Sequence, residues 1–332
     1  MKKYFLFIAT FIVLMDIQAQ SPWVLEKGKT DITVGYSRKT GGKRWYPTTI
    51  DTKETTTGAD DTWSGNSLQE APDLIDGKFH DFRYTYFAPA FGLGKGFEVS
   101  ALFLYLDGWE RITTDPKTGK RVAPHWEVNS GMTDFWLRLK YKLPTKIPMA
   151  IEVNSRFPDF YDQPGKQYSR YITQKIGKDT FVEASSEWRG IMKRDLMFAY
   201  SVGGSFDRKG NIYWQTQVGY NFRQGAYADQ IVANFSAGYN IKINDNVKIV
   251  PNVFVDYIGG IGNGKIPDYT DRFYQSGRPN FYFNNSKTLR VYYSVYAKLN
   301  KNIGVSVGLG KWLWGQGAVK YTEPFGQVIY SF

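Results

Sequence analysis

The sequence predicts an all-β chain folded as a transmembrane, antiparallel up-and-down β-barrel of about twelve strands, with both termini in the periplasm. Three observations carry that expectation. The chain closes on Val328, Tyr330 and Phe332, apolar side chains at alternate positions that end on an aromatic residue. Segments of about 10 residues that alternate apolar and polar recur from Asp31 onward. The connections between them are alternately short and long, the asymmetry expected of bacterial outer-membrane barrels.

The N-terminus reads as an export signal. Lys2 and Lys3 are followed by an apolar run over 4–14 and by small or polar residues around Ala19. Cleavage is expected after Ala19, giving a signal peptide at 1–19 and one barrel domain at 20–332. The run is too short to span a bilayer as a helix, and no later stretch approaches the roughly 18 apolar residues that a spanning helix needs. Hydrophobic residues make up 42% and aromatics 17%, with 33 glycines and a mean hydropathy of -0.41. Aromatic girdles and glycine-rich walls account for both excesses. Cysteine is absent, which removes disulfides, thiolate metal sites and cysteine nucleophiles. The formal net charge of +11 suits an anionic lipopolysaccharide surface or a lumen that draws anions, whereas export separates the chain from nucleic acid.

Reading along the chain, strands are expected near 30–38, 79–91, 97–107, 131–143, 148–157, 195–206, 211–223, 229–242, 247–258, 288–299, 303–314 and 321–332. Short turns rich in Gly, Pro, Asn and Asp fall at 92–96, 144–147, 207–210, 244–246 and 300–302. Long connections at 39–78, 108–130, 158–194 and 259–287 are expected outside the cell, and the Thr-rich run at 48–57 is expected as mobile loop.

The alternation assigns faces. In 131–143, Phe135, Leu137, Leu139, Tyr141 and Leu143 oppose Asp134, Trp136, Arg138, Lys140 and Lys142. Only a sheet with oil outside and water inside wants that pattern. The segment 211–223 sets Ile212, Trp214, Thr216, Val218, Tyr220 and Phe222 against Tyr213, Gln215, Gln217, Gly219, Asn221 and Arg223, and 288–299 behaves likewise. The lumen is therefore expected to carry Asp81, Arg83, Glu98, Asp134, Arg138, Lys140, Glu152, Arg156, Asp256 and Arg290. These charges suit either an ion-pair network that fills the barrel or a constriction that selects solutes. A neutral change at Lys140 is expected to cost little. Val328, Tyr330 and Phe332 are expected to serve as the membrane-insertion signal read by the barrel-assembly machinery.

The segment 130–144, Ser-Gly-Met-Thr-Asp-Phe-Trp-Leu-Arg-Leu-Lys-Tyr-Lys-Leu-Pro, resembles a strand and turn of the outer-membrane barrels named after the meta-pathway of phenol degradation, shape relatives of the long-chain fatty-acid transporter. The run from Val218 to Arg223, the Ala228-Asp229-Gln230 loop, the stretch Ala237 to Ile241 and the opening Pro22 to Gly28 are similar as well. The resemblance implies passive passage of small, often hydrophobic molecules. With so few residues before the first strand, an N-terminal hatch is not expected.

No catalytic, metal or cofactor site is expected. His80 and His125 lie far apart in sequence, and no spacing marks a nucleophile with its base. Aromatics in the long connections, among them Trp45, Trp109, Trp126 and Trp188, suit an upper girdle or a ligand or partner at the mouth. The expected partners are outer-membrane lipid and lipopolysaccharide, the assembly machinery during insertion, and a small hydrophobic or anionic solute. The competing expectation is a barrel that serves as scaffold and transports nothing.

Overall fold

The computed structural model describes residues 22–46, 49–55, 58–64, 67–70, 79–114, 121–122, 131–157, 170–176, 179–185, 194–223, 228–244, 246–261, 287–316 and 318–332. Twelve long strands form one closed antiparallel barrel. They are β1 Thr30–Tyr46, β2 Phe79–Gly94, β3 Phe97–Thr114, β4 Gly131–Lys142, β5 Met149–Phe157 and β6 Asp195–Ser205. The circle continues through β7 Ile212–Arg223, β8 Gln230–Tyr239, β9 Lys248–Gly260, β10 Lys287–Lys298, β11 Ile303–Gln316 and β12 Val319–Ser331. Neighbours in sequence are neighbours in the sheet, and β12 returns to β1 with Ile32 opposite Tyr330 and Val34 opposite Val328. Closure satisfies the backbone groups that an open edge would strand in lipid.

Period-two patterning makes the two faces. β6 alternates buried and exposed residues along most of its length, with Met197, Ala199 and Ser201 inside and Leu196, Phe198 and Tyr200 outside. On the outer face Phe87, Phe103, Phe135 and Phe157 are directly opposite one another on β2 to β5, with centroids 6.2, 5.6 and 4.9 Å apart. Such cross-strand aromatic pairs each contribute roughly 0.2–1 kcal/mol.

The strands outrun the expected segments at one end of the barrel. β1 continues to Tyr46 and β3 to Thr114, because Thr, Arg and Trp beyond the apolar belt still extend and pair once lipid no longer sets the pattern. The Thr-rich run expected as mobile loop is a strand instead: Thr49–Thr55 pairs with Gly58–Ser64, as its β-branched residues favour. A second hairpin joins Arg170–Ile176 to Asp179–Ser185.

At the other end the connections are tight. Between β2 and β3, Lys95 and Gly96 both have positive φ, of 52° and 83°, the geometry that matches the twist of a two-residue hairpin. Asn244 and Asn300 shape two further turns, Asn300 Oδ1 accepting the amides of Asn302 and Ile303 at 2.8 Å. Asp207 accepts the Ile212 amide and the Ser205 hydroxyl, each at 2.8 Å, and the Ile212 hydrogen bond holds its carboxyl below the usual range.

The C-terminal residues face outward, Val328, Tyr330 and Phe332 being 49%, 46% and 53% exposed. Phe332 also closes the seam, exchanging backbone hydrogen bonds of 2.9 Å with Thr30 in both directions. Deleting Phe332 is therefore expected to lower the amount of folded, heat-modifiable protein in the outer membrane while periplasmic export continues. Equal folded amounts in the two strains would refute that role.

Candidate functional site in the barrel interior

The register that closes the barrel also sets opposite charges against each other on its inner face. Lys140 on β4 is directly opposite both Glu98 on β3 and Glu152 on β5. Its Nζ lies 3.5 Å from Glu98, while Arg138 Nε lies 3.3 Å from Glu152. Gln217 donates to Glu152 at 3.4 Å and accepts from Asn234 at 3.1 Å, which carries the network across β7 to β8. Nearer the long loops, Asp195 at the start of β6 stands opposite Arg156 and Arg223 and pairs with both, the Arg223 contact being 3.5 Å. Asn221 also donates to Asp195, at 3.3 Å. On the far wall Asp256 and Arg290 are direct cross-strand partners and form an ion pair.

Beside these charges the interior is aromatic. Phe82, Tyr84, Tyr86, Phe254, Tyr292, Trp312 and Tyr321 form one cluster with Leu102, Leu104 and Leu106. Two of its hydroxyls, on Tyr292 and Tyr86, are hydrogen-bonded inside the barrel. Tyr292 donates to Glu323 at 3.1 Å, Glu323 pairs with Lys39 at 3.7 Å, and Tyr86 donates to Gln327 at 2.7 Å. Lys39 lies over Tyr84, Arg156 over Trp136 and Arg290 over Trp312, at 5.0, 5.0 and 5.5 Å. Gly35 and Gly310 stand where a Cβ would overlap the rings of Tyr86 and Tyr292, so glycine is what lets these rings lie against the wall. Arg156, Arg290, Lys39, Lys140 and Trp312 are each 2% exposed or less. The ring cluster with Lys39, Arg156, Arg290 and Trp312 fills the barrel on the long-loop side, while Lys140 lies toward the short turns with Glu98.

The short-turn side is open. A cavity of about 680 Å³ extends from the turns at Ser205, Gly210 and Asn240 inward to Leu102, Arg138, Asn252 and Ser294. Its lining interleaves apolar residues, Ala88, Pro89, Ala90, Val250 and Ile329, with the polar Ser100, Ser294, Ser306, Gln215, Asn252 and Gln327. Tyr213 donates to Asn252 Oδ1 at 3.0 Å, while Asn252 Nδ2 is a buried donor with no acceptor among the described residues. Residues 22–29 cross this mouth. Pro22 and Trp23 approach Gly203 on β6, the Leu25 amide donates to Glu98 at 2.9 Å, and Gly28 and Lys29 bond the backbone of Gly92. A short N-terminal strap thus occupies the place where no hatch was expected. It is possible in so few residues because Gly92 allows the backbone at Leu25 and Glu26 to approach closely.

Glu98, Arg138, Lys140, Glu152, Arg156, Asp256 and Arg290 all lie on the inner wall. Arg83 does not: Phe82 and Tyr84 on either side of it are the inward residues, 2% and 1% exposed. Alternation puts Arg83 on the outer face, because the inward positions on either side of it are taken by the rings of Phe82 and Tyr84. The side chains of Asp81, Asp134 and His80, together with His125, Trp109, Trp126 and Trp188, lie outside the described residues. The expectation that Lys140 tolerates a neutral change also fails, since its loss would leave Glu98 buried beside the strap. Lys39, Asp195 and Glu323 were missed. Asp195 sits at the first residue of its strand, and Lys39 lies just past the expected end of β1; the alternation of Gly35 and Ser37 against Val34 and Tyr36, carried two residues further, points Lys39 inward.

No protein-family model and no curated protein sequence matches the chain. Among solved structures it resembles an outer membrane channel from Pseudomonas putida F1, with a TM-score of 0.57 at 11% identity over 96% of this chain and 99% of that one. Weaker likenesses include the translocator domain of the autotransporter NalP from Neisseria meningitidis, with a TM-score of 0.41 at 6% identity over 93% and 90% of the two chains. Another is the P. putida toluene transporter TodX, with a TM-score of 0.37 at 10% identity over 92% and 89%. By its likeness to the first of these, this closed, twelve-stranded antiparallel barrel has the fold of outer-membrane β-barrels.

Proposed function

We propose that this protein is a channel-type transport barrel without enzymatic activity. A small, uncharged amphiphilic molecule occupies its turn-side compartment and passes when the packed layer of ion pairs and rings rearranges. The observation that carries the reading is the 680 Å³ cavity, whose lining mixes apolar side chains with hydroxyl and amide groups. Concave sites with that mixture orient small ligands through a few polar contacts while burying their apolar surface. The resemblance to the barrels of phenol degradation and the likeness to an outer membrane channel support the same reading. The pairing of Arg138, Arg156 and Arg290 with Glu152, Asp195 and Asp256 shifts support from anions toward neutral solutes, because each guanidinium already has its counter-charge.

One observation favours the scaffold alternative, namely that charged residues on the long-loop side are fully buried. Filling the compartment separates the two. Ser294→Trp and Ser306→Trp place an indole in the cavity on two different strands. Each is expected to abolish uptake of a small phenolic probe into vesicles holding the protein, with folding unchanged. If wild-type vesicles take up no more probe than protein-free ones, and the protein conducts no current in a planar bilayer, the scaffold reading replaces this one.

A further inference from the structure

At the short-turn end every hairpin of the barrel carries an apolar side chain beside a cation. Leu93 and Lys95 share the turn between β2 and β3, Ile147 and Lys146 that between β4 and β5, and Phe206 lies with Arg208 and Lys209 between β6 and β7. Ile243 and Lys242 follow between β8 and β9, and Leu299 and Lys301 between β10 and β11. The five apolar side chains are 48–64% exposed, and the cations beside them are exposed as well. The seam repeats the pattern, with exposed Lys29 next to Thr30 and exposed Phe332 hydrogen-bonded to Thr30. Lys27 of the strap lies against Gly94 and brings a further cation to the first turn. The acids in these turns and the strap are Glu26, Asp207 and Asp245, and Asp207 is engaged within its own turn by the Ser205 hydroxyl and the Ile212 amide. Among the described residues no carboxylate pairs with Lys95, Lys146, Arg208, Lys209 or Lys301.

A turn in open water gains nothing from Phe206 or Ile243. At the edge of a bilayer the same side chains enter the acyl layer, while Lys and Arg extend their long stems to the phosphates. From this repeat we propose that the short-turn end of the barrel binds a ring of anionic glycerophospholipid headgroups, of the phosphatidylglycerol type. Successive hairpins are two strands apart, about 10 Å at roughly 4.8 Å per strand, so each turn meets a headgroup of its own. Arg208 adds bidentate recognition of a phosphate to the point charges of the lysines. The encircling arrangement favours lipid over an acidic protein: a protein would have to wrap the whole circumference to reach these cations, whereas lipid already surrounds it. The site is independent of whether the lumen transports anything, and it requires the short-turn end to lie in a phospholipid leaflet.

The test is lipid retention by the full chain. Purified protein is incubated in detergent with an equimolar mixture of phosphatidylglycerol and phosphatidylethanolamine, washed, and the bound lipid measured by native mass spectrometry. The wild type is expected to retain phosphatidylglycerol several-fold above phosphatidylethanolamine. The preference should fade when the wash salt rises from about 0.1 to 1 M, where the screening length shortens from about 10 to about 3 Å. The protein carrying Lys95→Gln, Lys146→Gln, Arg208→Gln, Lys209→Gln and Lys301→Gln together should retain at least about tenfold less phosphatidylglycerol, since each cation near an anionic surface adds to the attraction, with phosphatidylethanolamine little changed. Arg208→Gln/Lys209→Gln alone, confined to one exposed turn, should give a smaller loss in the same direction and keeps the test decisive if the fivefold variant does not fold. Undiminished retention of phosphatidylglycerol in folded, heat-modifiable variants overturns the proposal. So does a wild type that holds the two lipids equally well, which would leave these cations to an acidic protein partner.

Discussion

Replacing Asp195 with Ala is expected to destabilise the folded barrel by about 3–5 kcal/mol, the usual consequence of removing one member of a buried ion pair. The size follows from the position. Asp195 is the shared counter-charge of Arg156 and Arg223, and the side chains of all three are 1–2% exposed. Arg156 is already committed to the ring of Trp136 at 5.0 Å, so neither guanidinium can move to water without unpacking the wall. Urea-induced unfolding from lipid vesicles, followed by heat modifiability, measures the loss. The companion experiment replaces the group as a whole. Arg156→Met, Asp195→Leu and Arg223→Met together remove the charges along with the vacancy, and should recover much of the lost stability because apolar packing of similar volume replaces the desolvated ions. A single variant that unfolds at the wild-type midpoint would show that water reaches these arginines, and the packed layer would then be open.

That experiment also bears on what the interior is for. Ion pairs and aromatic rings pack one half of the barrel, while the other half is a compartment with a strap across its mouth. A scaffold needs the packed layer to be permanent. A transporter needs it to yield, and a layer built from charges matched across neighbouring strands can re-pair as side chains move without exposing lone ions to a low dielectric. The triple variant, whose apolar layer has no such alternatives, should therefore conduct or take up probe less than the wild type even where its stability is restored.

The sequence declared the barrel because lipid imposes the strictest pattern in the chain. Leu137, Val218 and Tyr293 could face only outward once Arg138, Gln217 and Ser294 faced in, and the register followed. The same pattern was silent where lipid stops. Arg83 was assigned inward on charge alone, although Phe82, Tyr84 and Tyr86 alternate with it, because inside this barrel the rings face in and the polarity argument reverses. Lys39 and Glu323 were unread for a related reason: they meet only after β1 and β12 pair across the whole length of the chain, and nothing local to either marks the partner. The cavity was likewise beyond reach. It depends on small inward residues from several strands and on where the strap of residues 22–29 runs, which is a matter of closure rather than of any one segment.

Leu137→Arg is expected to cost about 2–4 kcal/mol, the penalty for an arginine on the lipid face near the bilayer midplane. Leu137 is 41% exposed on the outer face, with Leu139, 45% exposed, one step nearer the turn. Five residues from the turn end of β4, at about 3.3 Å each on a strand tilted by about 40°, give roughly 13 Å of depth, half of an apolar band about 25 Å tall. There the guanidinium has no short route to either interface. The adjacent inward position provides the contrast. Lys140→Gln keeps a polar side chain but leaves Glu98 buried without its cation, so it too should destabilise, by a mechanism that lipid does not share. The two are distinguished by a second change. Glu98→Gln added to Lys140→Gln should restore stability, because the pair is then neutral on both sides, whereas no change at Glu98 should help Leu137→Arg. Refolding into vesicles of graded acyl-chain length supplies the other readout: the penalty at Leu137 should shrink as the bilayer thins and the charge comes closer to water, while the penalty at Lys140 should stay constant. A Lys140 penalty that tracks bilayer thickness would mean that β4 is turned by one residue from the register described.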